Sequence, residues 1–451
     1  MQAVPDAGRV DGAPRRPSRS PALALMAVVL TAGALALAGC SRGPESHASG
    51  AAQSGPVALG PYRATLELPD GELPFEMEIT REDGSYVAYL VNGPERLRVP
   101  EVLVEGDRIE MRMPGFENRL SARIVRGRLI GEAVFIGSGG QSRSIPFEAR
   151  HGVTHRFVDR PLTDNADVSG RWAVTFTDDS GQPTPAIGEF RQNHHRVTGS
   201  FLTPTGDHRY LAGDVRDDEI FLSTFDGAHA FLYHGRVNAR GEIEGTFWSG
   251  LGSRKRFVAR RDDSASLPDA GALTTLKADA AAFDFTFPDL EGRPVSLRDP
   301  RFEGKVVVIA LGGSWCPNCH DETAFLAPYY LHNRERGLEV VALMFEHFAD
   351  FERAAAAVQR LQRKYDVRYP MLIAGTSDKE DAAAKLPQLS AVHAFPTTLF
   401  LDRRGRVRHI HTGFFGPGTG EHHQELIESF DAMVEQLLAE TDGAAGAPEN
   451  T

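Results

Sequence analysis

The sequence has few cysteines, and this scarcity excludes several kinds of site. Only Cys40, Cys316 and Cys319 occur among the 451 residues, and the last two form a single Cys-x-x-Cys motif in "GSWCPNCHDE". A structural zinc site needs four ligands, and no second Cys-x-x-Cys motif or suitably spaced histidine pair supplies the other two. A purely structural disulfide across so short a loop would constrain little of the unfolded chain. The sequence therefore predicts no metal site.

Basic charge and cofactor-binding motifs are also scarce. The chain carries 49 Lys and Arg against 61 Asp and Glu, a formal net charge of -12. This acidic balance argues against a nucleic-acid partner and against electrostatic adhesion to anionic lipid. The glycine-rich "GSGG" at residues 137–140 lies in a β-patterned region with no helix after it, so it does not form a dinucleotide-binding loop. We therefore predict no cofactor and no nucleic acid.

A long apolar run lies near the N-terminus. "PALALMAVVLTAGALALA" follows a basic head and precedes Cys40. Such a run is typical of an export signal or of a transmembrane anchor. Its ending, "LAGC", resembles a bacterial lipobox, which implies cleavage before Cys40 and attachment of lipid to that residue. We therefore expect residues 1–39 to be a signal peptide and residues 40–56 to be a lipidated, flexible tether.

Lipidation would place the protein in the cell envelope. Ser41 stands where an Asp would resemble an inner-membrane retention signal, so the outer membrane is favoured, with the protein facing the periplasm. A transmembrane anchor and a plain Sec signal are the alternatives to a lipid anchor. In an oxidising exported compartment, Cys316 and Cys319 would remain as the only pair, and redox exchange is the leading use for them.

The central part of the chain has the pattern of an all-β region. Short alternating runs such as "ATLEL", "FEMEI" and "RIEMRM" are separated by the turn signals "PDG", "EDG" and "EGD". The region resembles a duplication, since Tyr62 matches Trp172 and Ala149 matches Ala259 at an offset of about 110 residues. Each unit is expected to be a small antiparallel sandwich or barrel, and the alternative is that both units share one sheet system. The predicted repeats are residues 57–155 and 165–262.

Residues 263–274 have the composition of a linker, and the periodicity changes after them. "KVVVIAL" is a continuous apolar run, as expected of a buried central strand, and further strands then alternate with amphipathic helices. This alternation predicts an α/β domain over residues 275–440. Residues 441–451 are predicted to be a disordered tail.

The Cys-x-x-Cys motif falls where the first long buried strand gives way to a helix. A sulfur at the helix start faces unpaired backbone N–H groups and the positive end of the helix dipole, which lowers the pKa of Cys316. Pro317 fits the first helical turn, where a missing N–H costs little. Cys319 lies one turn further along the same face. We therefore predict that Cys316 attacks a substrate disulfide and that Cys319 resolves the mixed disulfide.

Three segments extend this motif into a family resemblance. "FDFTFPDLEGRPVSLRDPRFEGKVVVIALGGSWCPNC", then Glu322, then "FPTTLFLDRRGRV" resemble a thioredoxin-fold domain of the TlpA/ResA type, the periplasmic thiol–disulfide oxidoreductases. The resemblance covers residues from about 282 to 438. It implies a thioredoxin-like fold, exported protein disulfides as the substrate, and a membrane thiol as the electron donor.

The resemblance also implies roles for individual residues. Trp315 would shield the sulfurs and offer a contact surface to the substrate. Glu322 would relay protons to the resolving thiol, and the alternative is a first-turn carboxylate that satisfies the helix dipole. Pro396 would be a cis-proline, and Phe395 before it would expose its backbone to an extended substrate segment.

The sequence departs from this family at the active site. Pro317 and Asn318 stand where the reductive members carry Glu-Pro. Such residues tune the stability of the thiolate and hence the redox potential, so this departure leaves both an oxidant and a reductant open. Of the two, the family resemblance favours a reductase, which we predict. His320 is either a charge donor to the thiolate or an exposed helical residue. One alternative function is a peroxiredoxin-like peroxidase, although "LGGSW" lacks the threonine that peroxiredoxins place before the reactive cysteine. The other is an envelope client-binding protein with an accessory redox domain, although no cluster of charged residues in the β region stands out from surface decoration.

Overall fold

The computed structural model describes residues 57–278, 280 and 282–440. They form two antiparallel β domains followed by an α/β domain, so the predicted combination of an all-β region and a C-terminal α/β domain is confirmed. None of the helices in this part of the chain is long and apolar enough to cross a membrane. Three predicted segments lie outside the described residues: the signal peptide 1–39, the tether 40–56 and the tail 441–451.

The first β domain is a meander of nine antiparallel strands. They are β1 (Gly60–Leu68), β2 (Gly71–Glu82), β3 (Ser85–Asn92), β4 (Glu95–Val99), β5 (Glu101–Glu105), β6 (Arg108–Arg112), β7 (Arg119–Val125), β8 (Arg128–Ile136) and β9 (Ser142–His151). The order is β4-β3-β2-β1-β9-β8-β7-β6-β5, so the last strand pairs with the first. The edge strands β4 and β5 are separated only by Pro100, which has no N–H to donate to a ladder. Alternate residues of β1 are buried, as the sequence pattern predicts.

The second β domain closes into a barrel. Its strands are β10 (Gly170–Thr177), β11 (Pro183–Asn193), β12 (Arg196–Thr203), β13 (Gly206–Asp207), β14 (Leu211–Arg216), β15 (Glu219–Phe225), β16 (Ala230–Val237), β17 (Ile243–Ser249) and β18 (Ser253–Arg261). All except the short β13 form the ring, because β10 pairs with β18 and β11 pairs with β12. An eight-stranded barrel is just wide enough for side chains to fill it. Aromatic rings do so here: Trp172, Phe176, Phe190, Phe201, Tyr233, Phe247 and Phe257.

The two β domains share the register that the predicted duplication requires. Ala149 pairs with Ala64 where β9 meets β1, and Ala259 pairs with Val174 where β18 meets β10. Both pairs therefore keep the offset of about 110 residues that the sequence indicates. In both domains, the last long strand returns to the first.

The aromatic residues of the duplicated first strands play the same local role. The Tyr62 hydroxyl donates to the carbonyl of Ala58 at 2.7 Å, and the Trp172 indole N–H donates to the carbonyl of Val168 at 3.0 Å. Each side chain thus satisfies its polar atom on the backbone four residues earlier, which allows a large aromatic ring to be fully buried.

The C-terminal domain begins with a hairpin and continues with a five-stranded mixed sheet flanked by helices. The elements are β19 (Thr286–Pro288), β20 (Pro294–Ser296), β21 (Val306–Gly312), α1 (Pro317–Asn333), β22 (Leu338–Glu346), α2 (Phe351–Tyr365), β23 (Met371–Thr376), α3 (Lys379–Lys385), β24 (Thr397–Leu401), β25 (Val407–Thr412) and α4 (Glu421–Ala439). The sheet order is β23-β22-β21-β24-β25, with β21 at the centre and buried at every position. The buried strand predicted from "KVVVIAL" is therefore confirmed.

A buried arginine joins the two β domains. Arg156, in the segment between them, donates to Asn92 Oδ1 of the first domain and to Ser223 Oγ of the second, both at 3.0 Å. Beside it the rings of Phe75 and Phe225 pack with their centroids 4.7 Å apart. The two β domains thus share a core and a polar network, and they form one support for the C-terminal domain.

Both β domains contact the end of the central sheet at which α1 begins. The glycine-rich loop 137–140 makes one of these contacts, since the Gly139 N–H donates to the carbonyl of His347, just beyond β22, at 2.9 Å. A Cβ on Gly413, after β25, would lie 2.8 Å from the backbone of Thr205 in the second β domain. The contacts therefore bring loops of both β domains to the end of the sheet that carries the Cys-x-x-Cys motif.

Candidate active site

Cys316 is the N-cap of α1, as the strand-to-helix junction predicts. Its backbone is extended, with φ -99° and ψ 113°, and Pro317 opens the helix. The Cys319 backbone N–H donates to the Cys316 sulfur at 3.2 Å. The two cysteines form a disulfide with their Cα atoms 5.2 Å apart. A sulfur in this position receives the helix N–H groups and the positive end of the helix dipole, so a thiolate there is stabilised.

The predicted cis-proline lies opposite the disulfide. The Phe395–Pro396 peptide bond is cis. The Phe395 carbonyl oxygen lies 3.4 Å from the Cys316 sulfur. The expectation that Phe395 exposes its backbone is wrong for this arrangement, because the residue is only 8% exposed and its ring packs between Phe345 and Trp315. The covering β-domain loops were not foreseen from the sequence.

Trp315 borders the sulfurs, as the resemblance implies. It is half-buried and belongs to the same apolar cluster as the two cysteines. Its indole N–H donates to the carbonyl of Phe345 at 2.8 Å, and its ring stacks on His347 with centroids 4.7 Å apart. Gly313 permits this approach, since a Cβ there would meet the indole and lie 2.8 Å from the Phe345 oxygen. The indole is therefore locked in place beside Cys316.

Glu322 lies one turn beyond Cys319 on α1 and is buried at 3% exposure. Its carboxylate accepts a hydrogen bond from the Thr398 hydroxyl of β24. Burial raises the pKa of Glu322 to about 7, which the Thr398 hydrogen bond partly offsets. A carboxyl group that exchanges its proton near neutral pH suits proton transfer at the neighbouring thiol.

Glu346 is a second buried carboxyl group, and the sequence reading missed it. It ends β22 at 1% exposure and accepts hydrogen bonds from the Ser314 backbone N–H at 2.8 Å and the Ser314 hydroxyl at 2.7 Å. Burial raises the pKa of Glu346 to about 7, against the effect of these donors. A lone carboxylate at the end of the apolar strand "LEVVALMFE" was the signal that could have identified it.

The second β domain reaches the two residues between the cysteines. Asp207 accepts a hydrogen bond from the Asn318 side-chain amide at 3.0 Å, and Arg209 donates to the Pro317 carbonyl at 3.3 Å. The sequence reading found no such cluster in the β region, and that negative prediction is wrong. Asp207 and Arg209 are about 110 residues from the motif, so no local pattern connects them with it.

His320 is buried, which corrects both predictions made for it. The side chain is 2% exposed, and its Nε2 lies 2.8 Å from the carbonyl of Ser314. Its Nδ1 lies 3.1 Å from the ammonium of Lys364. Burial, together with the Lys364 charge, holds the pKa of His320 well below its ordinary value. The imidazole is therefore neutral, and it is neither an exposed residue nor a charge donor to the thiolate.

A cavity of about 220 Å³ lies beside the motif, between the three domains. From the C-terminal domain it is lined by Ser314, Trp315, Pro317, Glu346 and His347, and from the β domains by Phe116, Glu117, Asn118 and His229. Cys316 itself is 5% exposed and Cys319 is 3% exposed. Trp315 and Pro317, which flank Cys316, thus line a cavity that residues of both β domains also line.

In the ranges that the structure covers, no group of three or more His, Cys, Asp or Glu side chains is arranged to hold a metal ion. Cys40, the predicted lipidation site, lies outside those ranges.

Comparison with known proteins agrees with the family resemblance found in the sequence of the C-terminal domain. Residues 278–410 match the family described as the AhpC/TSA family. The chain is 29% identical over 124 residues to the thiol-disulfide oxidoreductase ResA of Bacillus thuringiensis subsp. konkukian, a match that covers 28% of this chain and 63% of the relative. The C-terminal domain is a TlpA/ResA-like domain of the thioredoxin superfamily. It is called the ResA-like domain below.

Other relatives and solved structures are also matched over about a third of the chain. ResA of Halalkalibacterium halodurans is 27% identical over 152 residues, which cover 34% of this chain and 78% of that protein. A DsbF homologue from Corynebacterium diphtheriae is 20% identical, with a TM-score of 0.28 and coverage of 37% of this chain and 96% of that chain. A thioredoxin family thiol:disulfide interchange protein from Chlorobium tepidum TLS is 18% identical, with a TM-score of 0.27 and coverage of 35% and 94%. The chain spans less than two thirds of the length of the first relative, and the two β domains lie outside residues 278–410.

Proposed function

We propose that the protein is a thiol–disulfide oxidoreductase that reduces disulfides of exported proteins through Cys316 and Cys319. The observation that carries this proposal is the position of Cys316 as the N-cap of α1, with the Cys319 N–H directed at its sulfur. This arrangement favours negative charge on the sulfur that must attack. The names of the matched ResA relatives support the same chemistry.

The reaction proceeds through two exchanges of sulfur bonds. In the reduced protein, the Cys316 thiolate attacks one sulfur of the substrate disulfide, which forms a mixed disulfide and releases one substrate thiolate that takes up a proton. Glu322 then accepts the Cys319 proton, and the Cys319 sulfur attacks Cys316. The mixed disulfide breaks, the second substrate thiol leaves with a proton, and the Cys316–Cys319 disulfide forms. Two electrons pass from the protein to the substrate, and an external dithiol must restore them.

The substrate is proposed to reach Cys316 as an extended segment. The cavity beside Trp315 and Pro317 is about 220 Å³, so it is too small for a folded domain and would admit only a short stretch of extended chain. The Phe395 carbonyl, opposite Cys316, offers a backbone acceptor to such a segment once the covering loops move. Folded clients would therefore react at flexible, disulfide-bearing segments.

A lipid anchor and a membrane thiol donor are further parts of the proposal. They are supported by the "LAGC" sequence that ends at Cys40 and by the lack of a dinucleotide-binding motif from which the protein could draw electrons itself. Labelling of the full chain in bacteria with an alkyne fatty acid tests the anchor. Incorporation that disappears in Cys40→Ser is expected, and equal labelling of both proteins would refute it.

The function is tested with the reduced full chain and an oxidised protein disulfide. Wild-type protein is expected to release substrate thiols in proportion to the loss of its own Cys316 and Cys319 thiols, and Cys316→Ser is expected to release none. Turnover by Cys316→Ser would rule out the assignment. Rapid consumption of hydrogen peroxide without any reduction of protein disulfides would instead favour the peroxidase alternative.

A further inference from the structure

We propose that Asp207 and Arg209 of the second β domain are positioning residues for the first turn of α1, which holds Pro317 and Asn318 between the two cysteines, and that they set the redox equilibrium of this pair. Because it concerns the reactivity of the cysteines, this role depends on the proposed function. Neither residue belongs to the ResA-like domain. The inference therefore assigns a chemical role to a β domain that lies outside the matched family region.

Asp207 holds the side chain of the second intervening residue. Its Oδ2 accepts from the Asn318 amide at 3.0 Å and from the Gly416 backbone N–H at 2.7 Å. The Asn318 amide also donates to the carbonyl of Phe414 at 3.3 Å. Asp207 and Asn318 are both buried. Asn318 is thus fixed by acceptors from two domains, and its position depends on the docking of the second β domain.

Arg209 holds the backbone of the first intervening residue and brings a buried positive charge to this interface. Its guanidinium donates to the Pro317 carbonyl at 3.3 Å and pairs with the Asp321 carboxylate two residues after Cys319. It also lies 2.9 Å from Glu95 in the first β domain and 3.0 Å from Asp226 in its own domain. The Arg209 side chain, which is 11% exposed, therefore connects all three domains at the first turn of α1.

The charge of this cluster acts on the Cys316 thiolate. The Arg209 guanidinium pairs with the carboxylates of Glu95, Asp226 and Asp321. Removal of Arg209 therefore leaves the first turn of α1 beside three negative charges that have lost this partner. Negative charge disfavours a thiolate, destabilises the reduced form and shifts the pair toward the disulfide. Removal of the Asp207 carboxylate has the opposite electrostatic effect. The two substitutions are therefore expected to shift the equilibrium in opposite directions.

Loosened docking of the β domain is the competing explanation for any effect of these substitutions. Arg171 provides the matched control, because this arginine also joins the second β domain to the ResA-like domain. It pairs with Glu189 at 2.7 Å and lies 3.2 Å from His422 of α4. These contacts belong to the interface between the second β domain and the ResA-like domain, and they do not involve Pro317 or Asn318. Loss of Arg171 is expected to weaken the contact between the second β domain and the ResA-like domain. It leaves the charged groups around Pro317 unchanged.

The test is a redox titration of the full chain in glutathione buffers. The test compares five proteins: wild type, Arg209→Met, Arg209→Lys, Asp207→Asn and Arg171→Met. Each is equilibrated with the buffer and then alkylated. Mass spectrometry measures the fraction of oxidised Cys316–Cys319 in the peptide that holds both residues, which excludes any contribution from Cys40. We expect Arg209→Met to move the equilibrium constant toward the disulfide by about tenfold, or about 30 mV for this two-electron couple, and Arg171→Met to stay within about twofold of wild type. Arg209→Lys keeps the positive charge, so its equilibrium constant is expected to lie close to that of the wild type. Asp207→Asn is expected to move the equilibrium toward the dithiol.

A second readout is the pH dependence of alkylation of reduced Cys316, which is expected to move to higher pH in Arg209→Met. An unchanged equilibrium in Arg209→Met, an equal shift in Arg171→Met, or shifts of the same sign in Arg209→Met and Asp207→Asn would overturn the proposal. If Arg209→Met does not fold, Asp207→Asn decides the outcome by the sign of its shift. Failure of the wild type to reduce protein disulfides would instead count against the proposed function, because the glutathione equilibrium is measurable without a protein substrate.

Discussion

The imidazole of His320 stacks on the ring of Phe116, with the ring centroids 4.2 Å apart and the planes 13° apart. His320 directly follows Cys319 on α1, whereas Phe116 belongs to the loop between β6 and β7 of the first β domain. The stack seats that loop on the first turn of the active-site helix. Together with Asp207 and Arg209 from the second β domain, which contact Asn318 and Pro317, it brings both β domains onto the residues that neighbour the two cysteines.

Gly115→Ala is predicted to loosen this cover and increase access to Cys316. Gly115 has φ +85°, and an added Cβ would lie 2.6 Å from His320 Cε1 and 3.0 Å from Lys364 Cδ. Relief of this clash requires the loop to move away from α1. We expect the reduced variant to be alkylated at Cys316 about fivefold faster or more, the change that about 1 kcal/mol produces in an opening equilibrium.

Gly127→Ala is the matched control for this prediction. Gly127 lies in the next turn of the same domain with φ +77°, and nothing lies within 4 Å of an added Cβ. It imposes a similar backbone cost of about 1 kcal/mol without the clash. Equal alkylation rates for Gly115→Ala and wild type, or equal acceleration in both variants, would show that the loop does not control access.

Cys319→Ser is predicted to trap mixed disulfides between Cys316 and the substrate. The variant keeps the attacking sulfur at the N-cap of α1 but lacks the thiol that resolves the intermediate. Bands that are sensitive to reductant should appear on non-reducing gels of cells that express the full chain, and mass spectrometry of those bands names the client. The double variant Cys316→Ser/Cys319→Ser is the control, and bands of equal intensity in it would contradict the assigned order of attack.

Glu322→Gln is predicted to slow the resolving step and remove its pH dependence near neutrality. Burial raises the pKa of Glu322 to about 7, so the carboxylate that accepts the Cys319 proton accumulates as the pH rises through this value. The wild-type rate of decay of a mixed disulfide should therefore rise through about pH 7. Loss of a general base should slow the decay on the order of 10²-fold. A stopped-flow rate in Glu322→Gln that matches wild type in size and inflection would favour the role of a carboxylate that only satisfies the helix dipole.

Glu346→Gln is predicted to change how stability depends on pH. The folded protein raises the pKa of Glu346 from 4.5 to about 7, so between these values it binds more protons than the unfolded chain, and its stability falls as the pH rises. Relative to Glu346→Gln, the wild type should lose about 3 kcal/mol of unfolding free energy between pH 5 and pH 8. Urea unfolding at several pH values measures this difference.

The control for Glu346 is Glu335→Gln, whose side chain is 84% exposed. This substitution removes a carboxylate of the same type from a solvated surface, where ionisation costs little. The unfolding free energy of Glu335→Gln should change with pH in the same way as that of the wild type. A parallel course for Glu346→Gln as well would show that Glu346 is ionised in the folded protein at pH 5.

Much of the active site was predictable because its geometry is set locally or by a family pattern. Pro317 and the buried strand before it were enough to place Cys316 at a helix start, and Pro396 followed from the resemblance around "FPTT". Glu346 was missed because a carboxylate at a strand end looks like a solvated boundary residue. Its burial depends on Ser314 from a neighbouring loop, which the strand pattern alone does not reveal.

The sequence by itself determined the elements and the reacting atoms: alternating strands, a buried central strand, and a cysteine at the first turn of the helix that follows. These depend on periodicity and on backbone groups a few residues apart, which a linear pattern records. Only the tertiary structure decided that Asp207, Arg209 and Phe116 contact Asn318, Pro317 and His320, the residues beside the cysteines. Those contacts join residues more than a hundred positions apart, and they form through charge pairing, ring stacking and close packing between separate domains, for which the local sequence holds no periodic signal.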